Sequence, residues 1–124
     1  MNADFLFIYI LVIHYMADFA LQTTYQLQNK GIGNEVFNIA LFSHVGVYSL
    51  IWLISTIPIL DYHGRFMVFA IITFICHYTT DWITSRIGKG FWESGDYHNG
   101  FNVVGFDQIL HYLQLWFTFK LLLH

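Results

Sequence analysis

Charge is what this sequence has least of. Five Lys and Arg and eight Asp and Glu make up 10% of its 124 residues, against 56% hydrophobic. An ordinary soluble domain carries about a quarter charged residues. The five cations form no cluster and the net charge is −3. Nucleic acid is therefore excluded as a partner, because phosphate binding needs concentrated Lys and Arg. One cysteine, Cys76, excludes an intramolecular disulfide, and its place in an apolar run reads as a small buried hydrophobe. Proline occurs once, at Pro58, so little interrupts long helices. Residues 1–4 hold no Lys or Arg, so the first apolar run lacks the basic start of a cleavable signal and is expected to stay.

Apolar sequence is abundant. Four stretches, residues 5–25, 36–60, 66–86 and 103–123, each approach the ~20 residues a bilayer-spanning helix needs. A soluble protein of this size could bury one such helix, but four would leave no amphipathic surface for water. Breaks rich in turn residues or charge fall at residues 29–34, 58–64 and 88–102. Short connections between consecutive spans predict one domain over residues 1–124, an all-α transmembrane antiparallel four-helix bundle.

Polar residues interrupt the apolar runs in a pattern. His14 and Asp18, His77 and Asp81, and Asp107 and His111 are each spaced i, i+4, and His44 stands in the second stretch. On an α-helix that spacing sets two side chains on one face. Helices one and three run toward a shared membrane face and place His before Asp; helix four runs away from it and places Asp before His. Reversal of order thus matches reversal of direction. At helical rise the histidines lie roughly 12 to 16 Å in from that face and the aspartates roughly 6 to 10 Å, giving two layers. His63, His98 and His124 fall in loops or at the terminus and read as solvated.

An ionised Asp near the centre of a membrane helix costs about 2.5 to 3.5 kcal/mol, and three are present. Lys30 and Arg86 read as rim residues, and Lys120 lies near the opposite end. Asp18 and Asp81 also approach helix C-termini, where the macrodipole disfavours negative charge. A divalent transition metal relieves both penalties. The donor set His14, His44, His77, His111, Asp18, Asp81 and Asp107 suits zinc first, with iron or manganese as alternatives, and is large enough for one or two ions. An interhelical polar clamp is the plain structural alternative.

His14-Tyr-Met-Ala-Asp18-Phe19-Ala-Leu21-Gln22, then Lys30, His44, His77-x-x-x-Asp81 and Phe106-Asp107-Gln108-x-x-His111 resemble the bacterial and phage membrane family catalogued as domain of unknown function 3307. The resemblance covers most of the chain. It implies a multi-pass protein of a bacterial inner membrane, or a phage protein inserted there, with these residues as its site. A more distant similarity, in His and Asp motifs on membrane helices, is to membrane-bound metal-dependent hydrolases.

The leading expectation is metal-assisted hydrolysis of a lipid or another amphipathic substrate, since a coordinated water loses its proton near neutral pH. His14, His77 and His111 would bind the ion, completed by His44 or the aspartates. One of Asp81, Asp107 or Asp18 would act as general base or orient a ligating imidazole. Gln22 and Gln108 could bind a polarised substrate oxygen. Residues 88–102, with four glycines and four aromatics, read as an interfacial loop or a lid. A second class is an ion- or proton-coupled carrier using the same residues as a relay. Against it, the opposite halves of the helices are nearly all apolar apart from Ser49, Ser55, Thr56 and Thr73. A third is a holin-like or regulatory membrane protein with a purely structural polar core. Lys30, Arg86 and Lys89 on the metal side against Arg65 and Lys120 on the other tip that side toward the cytoplasm.

Overall fold

The computed structural model describes residues 2–123; His124 lies outside the described residues. All regular structure within them is helical. Helix α1 (Ala3–Tyr15) starts at Asn2, whose side chain accepts from the N–H groups of Asp4 and Phe5. It runs into five residues of π-helix, Met16–Ala20, closed by the Leu21 N–H on the Met16 carbonyl at 3.0 Å. The chain then breaks at residues 21–23 and restarts as α2 (Thr24–Asn29), opened by a reciprocal capping box between Thr23 and Gln26. Helix α3 (Ile39–Leu60) follows, capped by Asn38. Helices α4 (Arg65–Glu93) and α5 (Tyr97–Leu122) complete the chain.

Three expected boundaries are corrected. The first stretch is not one helix over residues 5–25, because the π turn and the Thr23 cap divide it. Pro58 does not end α3: it sits in the last turn, and the reversal falls at Tyr62–Gly64, where His63 and Gly64 have φ of 53° and 69°. Residues 88–102 are not a long loop or lid. The only non-helical residues between α4 and α5 are 94–96. Gly95, at φ 77°, makes a Schellman stop, with its N–H on Trp92 and the Asp96 N–H on Phe91. Asp96 then caps α5 by accepting from Asn99. Gly88 and Gly100 are both helical, and Gly100 lets the hairpin close: a Cβ on it would stand 2.9 Å from the Trp92 ring.

Three stretches are long and apolar enough to cross a membrane: Ala3–Ala20, Ile39–Leu60 and Tyr62–Glu93. Helix α5 has the length, at 26 residues, but the polar groups of Asn102, Asp107, Gln108, His111 and Gln114 keep it out of that group. The burial pattern is inverted relative to a water-soluble protein. Ile8, Ile54, Ile71 and Phe117 are 59–65% exposed, while His14, His77 and Thr73 are fully buried. Apolar side chains outside and polar groups satisfied inside is the arrangement hydrocarbon demands.

Consecutive long helices run in opposite directions. Arg65 at the start of α4 donates to the Leu122 carbonyl at the end of α5, and Trp92 meets Phe101 at the other end. Between α1 and α3, Tyr9 reaches the Ser55 carbonyl, His14 meets Tyr48, and Asp18 meets His44. One half of the interior is mostly apolar, with Trp52, Phe69 and Phe119 packed ring against ring beside Leu6, Ile10 and Leu115, and with Thr56, Thr73 and Thr118 among its buried polar side chains. The other half holds the histidines and aspartates.

Residues 30–38 lie along α4 as a strap. Tyr78, Trp82 and Arg86, at successive i, i+4 positions, donate to the carbonyls of Val36, Glu35 and Gly33. Asn38 ties the strap's ends by donating to Asn29 and Ile32. Gly31 makes the closest approach, since a Cβ there would stand 2.9 Å from the Ser85 carbonyl oxygen. Gly31→Ala is therefore expected to lower stability by about 1–3 kcal/mol, the range for overpacking a tight contact. Gly90→Ala, which meets no atom within 4 Å, should be neutral or stabilising by up to about 1 kcal/mol. Thermal unfolding of the detergent-solubilised variants separates the two, and equal melting temperatures would contradict the strap's tight seating.

Candidate metal centre

The site is assembled from four helices. Asp18 is carried by the π turn, whose wider winding sets its carboxylate 3.4 Å from His14 Nε2 and turns it toward α3 and α4. His44 comes from the second turn of α3, His77 and Asp81 from the middle of α4, and Asp107 and His111 from the middle of α5. All seven side chains expected from the sequence are buried, and all meet in one polar core.

Asp18 Oδ1 lies 3.0 Å from His44 Nε2 and 3.5 Å from His77 Nε2, and the two ring nitrogens lie 3.3 Å apart. Asp81 Oδ2 adds contacts of 3.4 Å to His44 and 3.8 Å to His77. His77 is held by stacking, with ring centroids 3.9 Å from Tyr48 and 4.1 Å from His111. Its Nδ1 has no hydrogen-bond partner. His111 Nε2 is 3.1 Å from Asp107 Oδ2, yet it too lacks a hydrogen bond of acceptable geometry.

Three overlapping groups can each present converging donors: Asp18, His44 and His77; His77, Asp81 and His111; and Asp18, Asp107 and His111. Donors about 2.0–2.1 Å from a tetrahedral ion stand about 3.3–3.4 Å from one another. The first group, with edges of 3.0, 3.3 and 3.5 Å, matches one face of such a tetrahedron. The donor chemistry, imidazole with carboxylate, also suits zinc, iron or manganese.

His14 belongs to none of these groups. Its Nε2 donates to Gln108 Oε1 at 2.6 Å, so in the neutral ring Nδ1 accepts from the Tyr48 hydroxyl at 2.7 Å. Gln108 is drawn into the core as a bridge, its amide nitrogen 3.1 Å from both Asp18 Oδ2 and Asp107 Oδ2. Gln22 keeps a buried, unpartnered Oε1. His63 and His98 are exposed, as expected, and Cys76 is half-buried and free.

Three contributors escaped the sequence reading. Lys30 is not at the rim: its Nζ is 3.0 Å from Asp81 Oδ2 and its side chain is only 13% exposed. The chain break at residues 21–23 folds α2 and the strap back under the helix ends, which carries Lys30 inward. Burial works to lower its pKa, but Asp81, with Asp18 and Asp107 behind it, outweighs burial and raises it. The stability it lends is thus complete below the ordinary lysine pKa of about 10.4 and is lost only as pH rises through the higher folded value. Tyr48 lies one turn beyond His44, so the same i, i+4 rule could have found it. Thr84, three residues after Asp81, donates to Asp107 Oδ1 at 2.6 Å.

A cavity of about 640 Å³ opens onto the site. Its lining includes Asp18, Asp81, Asp107, Lys30, Gln22 and Gln108, with Lys89 and Glu93 also on it, while Phe19, Leu27, Trp92 and Val104 supply apolar surface. The aspartates face the cavity and the histidines stand behind them, in agreement with the two layers inferred from helix polarity.

A family model described as protein of unknown function (DUF3307) matches residues 6–123. No curated protein and no solved structure matches the chain.

Tyr48→Phe removes the partner of His14 Nδ1 and leaves a buried polar atom unsatisfied, at an expected cost of about 1–3 kcal/mol. Thermal unfolding should register that loss while zinc content, measured by elemental analysis, stays unchanged. Loss of zinc with the hydroxyl would instead tie this His14–Tyr48 pair to metal binding.

Proposed function

For this chain, which belongs to the DUF3307 family, we propose an integral membrane metal-dependent hydrolase acting on the ester of a lipid or other amphipathic substrate. In this reading α1 with its π turn, α3, α4 and α5 cross the membrane as an antiparallel four-helix bundle, and α5 is tolerated because its polar side chains point at one another. The observation that carries the reading is the Asp18, His44 and His77 triangle beside a cavity lined by both polar and apolar side chains, Asp18 among them.

Asp18 Oδ1, His44 Nε2 and His77 Nε2 would hold the ion, with zinc favoured. When bound, it would acidify a water and polarise the substrate oxygen. Asp107 is the best placed general base. It lines the cavity, its Oδ1 is fixed by Thr84 and its Oδ2 by Gln108. Asp81 is neutralised by Lys30, which makes it the poorer proton acceptor. Gln108 and His14 set the orientation of Asp18. The Gln22 amide, with its free buried oxygen, faces the same cavity and suits a substrate donor or carbonyl.

The aromatic plug of Trp52, Phe69 and Phe119 favours a site entered from one face over a carrier, which needs polar groups along the whole path.

Purified protein is expected to retain a stoichiometric transition metal and to release product from at least one class of lipid ester. Asp107→Asn should lower that rate about 10²–10⁴-fold, the usual size of a general-base contribution, with metal content unchanged. His77→Leu should abolish both activity and metal binding. Metal-loaded protein that hydrolyses no ester in a broad lipid panel, yet moves ions or protons in proteoliposomes, would replace this reading with the carrier.

A further inference from the structure

We infer that Lys30 occupies the place of a second cation, so that the centre binds one divalent ion and not two. This inference rests on the metal-centre reading above and fixes its stoichiometry. The three donor groups overlap: Asp18 belongs to the first and third, His77 to the first and second, and His111 to the second and third. They are therefore one pocket with room for more than one positive charge. In the second group the Asp81 carboxylate already has a cation on it, the Lys30 ammonium at 3.0 Å from Oδ2.

That oxygen is also the one nearest His44 and His77, at 3.4 and 3.8 Å. A divalent ion placed in the second group would sit against a fixed ammonium and be repelled. The first group has no such neighbour on its Asp18 oxygen, whose close contacts are His44 and His77. The formal charges agree with the geometry. Three carboxylates and one ammonium leave two negative charges, which one divalent ion balances, and a buried site in hydrocarbon tolerates little net charge.

Lys30 is also built into this position. Gly31 lies against the backbone of Ser85 with no room for a Cβ, and Asn38 fastens the strap on both sides of the lysine.

The test is zinc stoichiometry after equilibrium dialysis of the full chain in detergent, read by elemental analysis against protein concentration. Wild type is expected to bind one zinc per chain, Lys30→Met two, and Lys30→Arg one, the arginine restoring the charge. Should Lys30→Met fail to fold, Lys30→Gln, which can hydrogen-bond Asp81 without charge, carries the same expectation of two. Two zinc ions in wild type, or one in a folded uncharged variant, would overturn the role given to Lys30. Wild type that binds no zinc would instead overturn the metal centre itself.

Discussion

Three carboxylates held inside an apolar helix assembly are the constraint around which this protein is organised. Each costs about 2.5 to 3.5 kcal/mol to place ionised near the middle of a membrane helix, and nothing in the apolar exterior can offset that. The offset is assembled locally. Lys30 takes one oxygen of Asp81, Gln108 spans Asp18 and Asp107, Thr84 fixes Asp107, and His44 and His77 close on Asp18. Remaining demand for positive charge is what a divalent cation would supply in the proposed reading, and the spacing of the nearest three donors suits one.

The scaffold serves that end with irregular backbone at a few points. The π turn at Met16–Ala20 rotates Asp18 out of the phase an α-helix would give it. The break after it lets α2 and the strap return toward the core, and the ladder of Tyr78, Trp82 and Arg86 holds the strap there. At the other side of the cavity the Schellman stop at Gly95 and the bare Cα of Gly100 bring α5 close enough for Asp107 to reach Thr84. Behind the histidines, aromatic rings pack against one another, so the His and Asp cluster and the cavity that reaches it lie toward one end.

That these seven His and Asp side chains share one buried core was legible because helical periodicity and helix direction are written in their spacing. The two-layer order followed from the same rule and agrees with the aspartates, and not the histidines, lining the cavity. Departures from regular helix were not legible. A five-residue π turn has no distinctive composition, so the His14 and Asp18 pair read as plain α-helix. Lys30 looked solvated because its depth depends on a chain reversal at residues 21–23, a tertiary event. Residues 88–102 looked like a loop because glycine is a poor helix former on average, whereas here Gly100 answers to packing against Trp92. Four equal spans were read from apolar runs, yet α5 is not among the three stretches apolar enough to cross a membrane, because Asp107, Gln108, His111 and Gln114 interrupt its apolar sequence.

The most direct test of the central claim is X-ray absorption at the zinc edge on the loaded, detergent-purified protein. Convergence of Asp18, His44 and His77 predicts a shell of nitrogen and oxygen at about 2.0–2.1 Å, with the outer scattering of two imidazole rings and no sulfur. A shell of oxygen alone, with no imidazole scattering, would mean that the ion sits on surface carboxylates or solvent, and that the buried histidines hold the helices together without binding metal.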